Sequence, residues 1–178
     1  PPPPPPPDPA PATPAHSTET KSSAASDVYK RQIMAYVHIA HDCQIGNQTI
    51  FANNASLAGH VTIGDHVILG GFTLVHQFCT LGAHSLTAFG SGISMDVPPY
   101  VTVGGSPAKP HGLNMEGLRR RGFSAEARKS LKQAYRTLYR ENLSLQDAIS
   151  RLQQQVDGCA ELGMLVSFLE NQTRGIVR

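Results

Sequence analysis

The sequence predicts a parallel β-solenoid followed by a small helical segment. Three observations carry that prediction. Bulky aliphatic residues recur every six positions from Ile33 to Ile93. Small or β-branched residues recur at fixed offsets around each of them. After Pro98-Pro99 the spacing of apolar residues changes from six to the helical three and four.

The first 32 of the 178 residues hold ten of the fourteen prolines, mixed mostly with Ala, Ser and Thr. They lack the apolar residues that would offset the entropy of ordering, so disorder is expected there. They contain no apolar core of a secretory signal, and nothing later is long enough to span a membrane. The abrupt change across Ser22–Gln32 into patterned sequence at Ile33 marks a foreign junction, and residues 1–32 are excluded from the fold.

The repeat follows. Its aliphatic column reads Ile33, Ile39, Ile45, Phe51, Leu57, Ile63, Leu69, Val75, Leu81, then Thr87 as a lapse, then Ile93. The next residue is usually small (Ala40, Gly46, Ala52, Gly64, Gly70), and four residues on lies Cys43, Thr49, Ala55, Val61 or Val67. Six residues make one flat face and eighteen make a triangular coil, with the aliphatic residue inside the prism. The small residue is expected to let the chain turn each corner. Stacked coils bond backbone to backbone at about 4.8 Å. The register ends near Val97–Pro99, since proline cannot donate to the ladder. A Gly/Pro-rich loop is expected next, then helices capped by Ser124 and Ser144, with Gly158 before a third near Glu161–Asn171. Three segments result: residues 1–32, the solenoid over 33–103, and loop plus helices over 104–178.

The eighteen-residue period stacks residues in columns. Gly59 falls over His41, Gln77 over Gly59, and His60 over Asp42, with His76 beside Gln77. These residues therefore converge on one edge of the prism. An imidazole next to a carboxylate can act as an oriented base, and a side-chain-free Gly59 leaves a backbone N–H for an oxyanion. His66 and His84 form a separate column. No third ligand joins it, whereas structural metal sites usually take four, so no metal is assigned. Cys43 and Cys79 lie two coils apart, roughly 9–10 Å, too far for a disulfide. Together with Cys159 they read as reduced thiols, which fits a cytoplasmic location.

Charge is uneven. No Lys or Arg lies between Ile33 and Ala108, whereas Asn114–Glu141 carries eight against three acids. That block is either a solvated helix face or a surface for an anionic partner such as a nucleotide or an acidic protein. Nucleic acid is disfavoured because no aromatic residues are interleaved with the arginines.

The repeat resembles the hexapeptide-repeat acyltransferases, which are left-handed parallel β-helices. Narrower runs are His38-Ile39-Ala40-His41-Asp42-Cys43, Leu57-Ala58-Gly59-His60-Val61, Val75-His76-Gln77-Phe78-Cys79 and Asp96-Val97-Pro98-Pro99-Tyr100. With Gly112–Ser124 and the ending Thr173-Arg174-Gly175, they resemble the UDP-N-acetylglucosamine 3-O-acyltransferases that begin lipid A synthesis. The resemblance implies His41 as general base, Asp42 as its partner and the Gly59 N–H as oxyanion donor. It implies that His38, His60, His76 and Gln77 line the sugar-nucleotide and acyl site, and that Asn114, Glu116, Arg120 and Arg121 hold the nucleotide. Phe89 would limit acyl length. No cofactor is bound; the donor would be a 3-hydroxyacyl-phosphopantetheine on an acidic acyl carrier protein. A homotrimer is implied, with each site between two β-helices. Two departures are Gly105-Ser106 where Gly-Asn is usual, and the proline-rich stretch where the family has further N-terminal coils. A sibling N-acyltransferase and a folded but inactive trimeric fragment are the competing readings.

Overall fold

The computed structural model describes residues 31–178. The expectation of disorder over residues 1–32 lies outside the described residues except at Arg31 and Gln32, where it is corrected: Gln32 pairs in parallel with Ile50 and the Arg31 side chain donates to the Gly46 carbonyl. Eleven two-residue strands follow one another at the six-residue period: β1 Gln32–Ile33, β2 His38–Ile39, β3 Gln44–Ile45, β4 Ile50–Phe51, β5 Ser56–Leu57, β6 Thr62–Ile63, β7 Ile68–Leu69, β8 Leu74–Val75, β9 Thr80–Leu81, β10 Leu86–Thr87 and β11 Gly92–Ile93. Strands β1 to β8 each pair in parallel with the strand eighteen residues on, as Gln32 with Ile50 and Ile50 with Ile68. Three sheets result, in the orders β1-β4-β7-β10, β2-β5-β8-β11 and β3-β6-β9. They are the faces of a left-handed parallel β-helix.

The interior is the predicted column. Phe51, Leu57, Ile63, Leu69, Val75, Leu81 and Ile93 are buried, as are Ala55, Val61, Val67 and Cys79 four residues after their aliphatics. Each buried aliphatic contributes about 1.5–3 kcal/mol of transfer free energy. Ile33, Ile39 and Ile45 in the first coil are only partly buried. The lapse at Thr87 is accommodated chemically. Its hydroxyl pairs with that of Thr73 at 2.7 Å and accepts from the Gly70 N–H, so no interior polar group there is left open.

The corners are not where the small residues sit, and the sequence expectation is corrected on this point. Each turn is made two residues later, by a residue in the left-handed conformation: Tyr36, Asp42, Gln48, Asn54, His60, His66, Phe72, Phe78 and His84, followed by Gly90. None is β-branched, and Asp, Asn and His tolerate this conformation best. The abundance of histidine is thus partly conformational. From the second coil on, each corner N–H donates to the coil before it, as His60 N to His41 O at 3.1 Å and Phe78 N to Gly59 O at 3.2 Å. The small residues serve close coil-to-coil approach instead. A Cβ on Gly46 would lie 2.7 Å from the Asp65 nitrogen, and one on Gly64 2.6 Å from that of Ala83.

Pro98 and Pro99 shorten the last coil, where the pairing Leu86–Thr102 spans sixteen residues instead of eighteen. Strand β12 (Val101–Gly104) extends the first sheet, and β13 (Lys109–Leu113) folds back antiparallel to it. The expected loop is therefore mostly a hairpin. Four helices complete the chain: α1 Met115–Arg120, α2 Ala125–Tyr139, α3 Leu145–Gln153 and α4 Ala160–Asn171. Ser124 and Ser144 cap α2 and α3 as predicted, accepting from the Ala127 and Asp147 N–H groups. Helix α1, capped by Asn114, was not anticipated.

The end of the chain returns to the β-helix at Asp96, which is fully buried. Its carboxylate accepts from the backbone N–H groups of Thr80 (2.7 Å), Thr173 (3.2 Å) and Arg174 (3.4 Å). Its own backbone pairs with Gly175 and Val177. Among the described residues no helix is long and apolar enough to cross a membrane.

Candidate active site

The three corners of the prism carry different chemistry. The corner after the second sheet holds Asp42, His60 and Phe78 one above another, with His41 and Gln77 flanking. The His41 Nδ1 and the Asp42 carboxylate are 2.8 Å apart, and the His60 Nε2 lies 3.6 Å from the same carboxylate oxygen. The hydrogen bond to His41, with the His60 charge adding to it, holds the Asp42 carboxyl below the usual carboxylate range. Asp42 thereby fixes the tautomer that carries the proton on Nδ1 and leaves Nε2 able to accept one. His41 is 71% exposed at its side chain.

Gly59 lies directly under the His41 ring. A Cβ there would sit 2.7 Å from both Cε1 and Nε2 of the imidazole. The glycine is required by this close approach, and its N–H donates to no acceptor among the described residues. The His41 and His60 rings meet edge to face at 5.0 Å, and His60 stacks on Phe78 at 4.9 Å. Phe78 was not among the predicted site residues; its place in the column of Asp42 and His60 was the available signal. His38 is exposed on β2 at the edge of the same face, and His76 follows β8 with its Nδ1 3.2 Å from the Gln77 carbonyl. A cleft of about 440 Å3 opens beside His76, between Leu74, Gly92 and Ser106. The Arg174 guanidinium donates to the Gln77 carbonyl at 3.2 Å, so the tail supports this corner. His41, Asp42 and His60 each offer a ligand atom within 4.8 Å of the others, an arrangement that could also hold a divalent ion.

The corner after the third sheet holds the His66 and His84 rings, stacked at 4.6 Å. Helix α1 docks on it: the Asn114 amide donates to the His84 carbonyl at 3.1 Å, and Arg121 donates to the His66 carbonyl at 3.2 Å. Burial pushes His84 down to about 4, with the charges of His66 and Arg121 adding to it. Burial likewise lowers Arg121 from its usual value. Glu116 accepts from Arg119 and Arg120, which pull its carboxyl down to about 2. The corner before the second sheet carries Phe72 and Phe89, packed edge to face at 5.5 Å; Phe89 is 75% exposed. One chain thus gathers His38, His41, Asp42, Gly59, His60, His76 and Gln77. It places Asn114, Glu116, Arg120 and Arg121 at a second corner and Phe89 at a third.

The fold and its repeat place the chain among the hexapeptide-repeat β-helix proteins. Residues 96–177 match the family described as "Udp N-acetylglucosamine O-acyltransferase; Domain 2". The acyl-[acyl-carrier-protein]–UDP-N-acetylglucosamine O-acyltransferase of Thiobacillus denitrificans is 58% identical over 146 residues, covering 82% of this chain and 57% of that protein. The same-named protein of Halorhodospira halophila is 57% identical over the same shares. The solved UDP-N-acetylglucosamine O-acyltransferase of Moraxella catarrhalis aligns with a TM-score of 0.82 at 43% identity, covering 84% of this chain and 58% of that one. The chain belongs to the UDP-N-acetylglucosamine O-acyltransferase family. It spans a little over half the length of the relatives it matches.

Proposed function

We propose that this chain forms the catalytic part of a cytoplasmic enzyme that transfers an (R)-3-hydroxyacyl group from acyl carrier protein to the 3-hydroxyl of UDP-N-acetylglucosamine. This would be the first step of lipid A synthesis. The observation that carries the reading is the His41–Asp42 pair with its free Nε2 set over Gly59. In it, Nε2 takes the proton of the sugar 3-hydroxyl as that oxygen attacks the thioester carbon. The Gly59 N–H donates to the developing oxyanion once the imidazole has shifted with the bound substrate. Collapse of the tetrahedral adduct expels the phosphopantetheine thiolate, which recovers a proton from His41. No metal or cofactor is needed for these steps.

Asn114, Glu116, Arg120 and Arg121 hold the nucleotide, with arginine suited to its phosphates. His38, His60, His76 and Gln77 line the sugar and acyl site. Because these groups lie at different corners of one prism, a complete site takes one corner from each of two neighbouring copies, as in a homotrimer. Exposed Phe72, Leu74 and Phe89 then line the interface. There Phe89 closes the acyl pocket and favours a chain near ten carbons over longer ones. The basic face of α2 suits an acidic carrier protein.

The test is turnover of UDP-N-acetylglucosamine with 3-hydroxydecanoyl carrier protein. It is run on the chain alone and on the chain joined to the additional residues that its relatives carry. His41→Ala should abolish product at unchanged fold; retained turnover would remove His41 as base. A second reading, favoured by the convergence of His41, Asp42 and His60, is a three-ligand metal site. Loss of turnover on chelation, restored by zinc, would favour it.

A further inference from the structure

A cavity of about 350 Å3 lies between β13, the end of α2 and the loop that follows it, lined by Lys109, Pro110, Tyr135, Leu138, Tyr139, Arg140, Asn142, Leu143 and Arg178. None of the residues assigned to the acyl-transfer site lines it. Its chemistry is one-sided. Three cationic residues line it and no acidic one does. The Arg178 guanidinium donates only to neutral carbonyls, those of Leu138 and Leu143, so its charge is not cancelled there. Among the described residues neither Lys109 nor Arg140 enters a salt bridge. Apart from Asn142, the remaining wall is apolar: Pro110, Leu138, Leu143 and the paired rings of Tyr135 and Tyr139, whose centroids are 4.8 Å apart.

A second observation points to a ligand. The Tyr139 hydroxyl is buried and has no hydrogen-bond partner. Burial raises its pKa, so it remains a proton donor at any physiological pH. A buried donor without an acceptor is costly, and native proteins rarely keep one without a role for it. A bound anion supplies the missing acceptor, and the cationic lining supplies its counter-charge.

We propose that this cavity binds a small amphipathic anion, a carboxylate or phosphate head on a short apolar body. The head lies between Arg140, Arg178 and Lys109 and accepts from the Tyr139 hydroxyl, while the body packs on the tyrosine rings and Leu138. The volume is in the range of small-ligand pockets and holds a chain of several carbons beside its head group. Arginine forks accept carboxylate and phosphate alike, so the structure defines the class of head and leaves the two to be separated by experiment.

The experiment titrates octanoate, octyl phosphate and inorganic phosphate into the full chain carrying ring-13C tyrosine, and follows the Tyr135 and Tyr139 signals by NMR. Saturable shifts confined to these two rings are expected with at least one octyl ligand, and the one that binds tighter identifies the head group. Inorganic phosphate should bind at least tenfold more weakly, having no body to bury. Arg140→Met should weaken binding by about tenfold or more through the lost charge-assisted bond. Tyr139→Phe should weaken it several-fold while leaving thermal stability unchanged or raised, which separates a binding role from a folding one. The proposal is overturned by the absence of saturable shifts at millimolar octyl ligand. Equal affinity for inorganic and octyl phosphate, or unaltered binding in Arg140→Met, would also overturn it.

Discussion

His84 should make the stability of the β-helix fall with acid across a window set by its burial. In the folded chain its imidazole stacks on His66 at 4.6 Å and packs against Tyr100 and Phe123, beside Arg121. Its Nδ1 is buried without a partner, so nothing is there to stabilise a second ring proton. The folded group therefore resists protonation down to about 4, against 6.5 for the free side chain. Between those values the unfolded chain binds more protons than the folded one, so stability rises with pH through the window and is fully present above it. At about 1.4 kcal/mol per pKa unit the ceiling is about 3 kcal/mol. His84 is not wholly buried, and solvent screening brings the expectation to about 1–2 kcal/mol. Urea unfolding at fixed protein concentration between pH 4.5 and 7.5 measures it, comparing the parent with His84→Phe, which keeps a ring in the stack and removes the titration. The parent curve should be steeper between pH 4.5 and 6.5, and the two should run together above pH 7. Parallel curves throughout would refute the assignment of the acid sensitivity to this corner.

Four further outcomes are expected. Gly59→Ala places a methyl against the His41 ring and should lower kcat by about a hundredfold through misplacement of the base, with an unchanged melting temperature by circular dichroism. Leu69→Ala, in the middle of the interior column, should cost about 2–5 kcal/mol, read as a lower urea midpoint. His41→Ala and Arg121→Ala should each be inactive, yet co-assembled should regain roughly a quarter of parental turnover if every site is built across two copies of a symmetric trimer. No recovery on mixing would place each site within one chain. Chelation with EDTA should leave turnover intact; its loss would favour the three-ligand metal reading.

The β-helix was legible because its periodicity is a local constraint repeated many times. Every sixth residue from Phe51 to Leu81 had to fill the same prism, and each is buried. The corners were misplaced because small residues look like turn makers. Glycine at Gly46 and Gly64 answers instead to the close approach of the next coil. The real signal was a second column, Tyr36 to His84, recognisable by its lack of β-branched residues and its enrichment in Asp, Asn and His. The β12–β13 hairpin was hidden by Pro110, which read as a loop residue yet pairs by register with Val103 at the end of the sheet. Helix α1 was missed because six residues do not show a helical period; its Asn114 cap was the only local sign. For the site, the eighteen-residue arithmetic brought His41, Asp42, Gly59 and His60 together correctly. It could not reveal that α1 docks at a different corner, since that depends on how the chain turns after Pro99.

The docking of the tail gives the helical segment a part in the site. A fully buried carboxylate such as Asp96 survives only if its charge is met, and here three backbone N–H groups meet it, two of them from Thr173 and Arg174. The same arginine then reaches the Gln77 carbonyl, one residue from His76 and two coils from His41. The Thr173-Arg174-Gly175 ending is thus a clamp that closes the last coil and steadies the corner below the His41–Asp42 pair. Asp96 lies where the chain leaves the corner register: its N–H donates to the Gly175 carbonyl of the tail, whereas those of His60 and Phe78 donate to the coil before them. What separates the Asp42 and Asp96 carboxylates is cover. Asp42 faces solvent and pairs with an imidazole, whereas Asp96 is sealed by the returning chain and pairs with backbone. The repeat supplies the scaffold, and the environment of each carboxylate is decided by what packs on it.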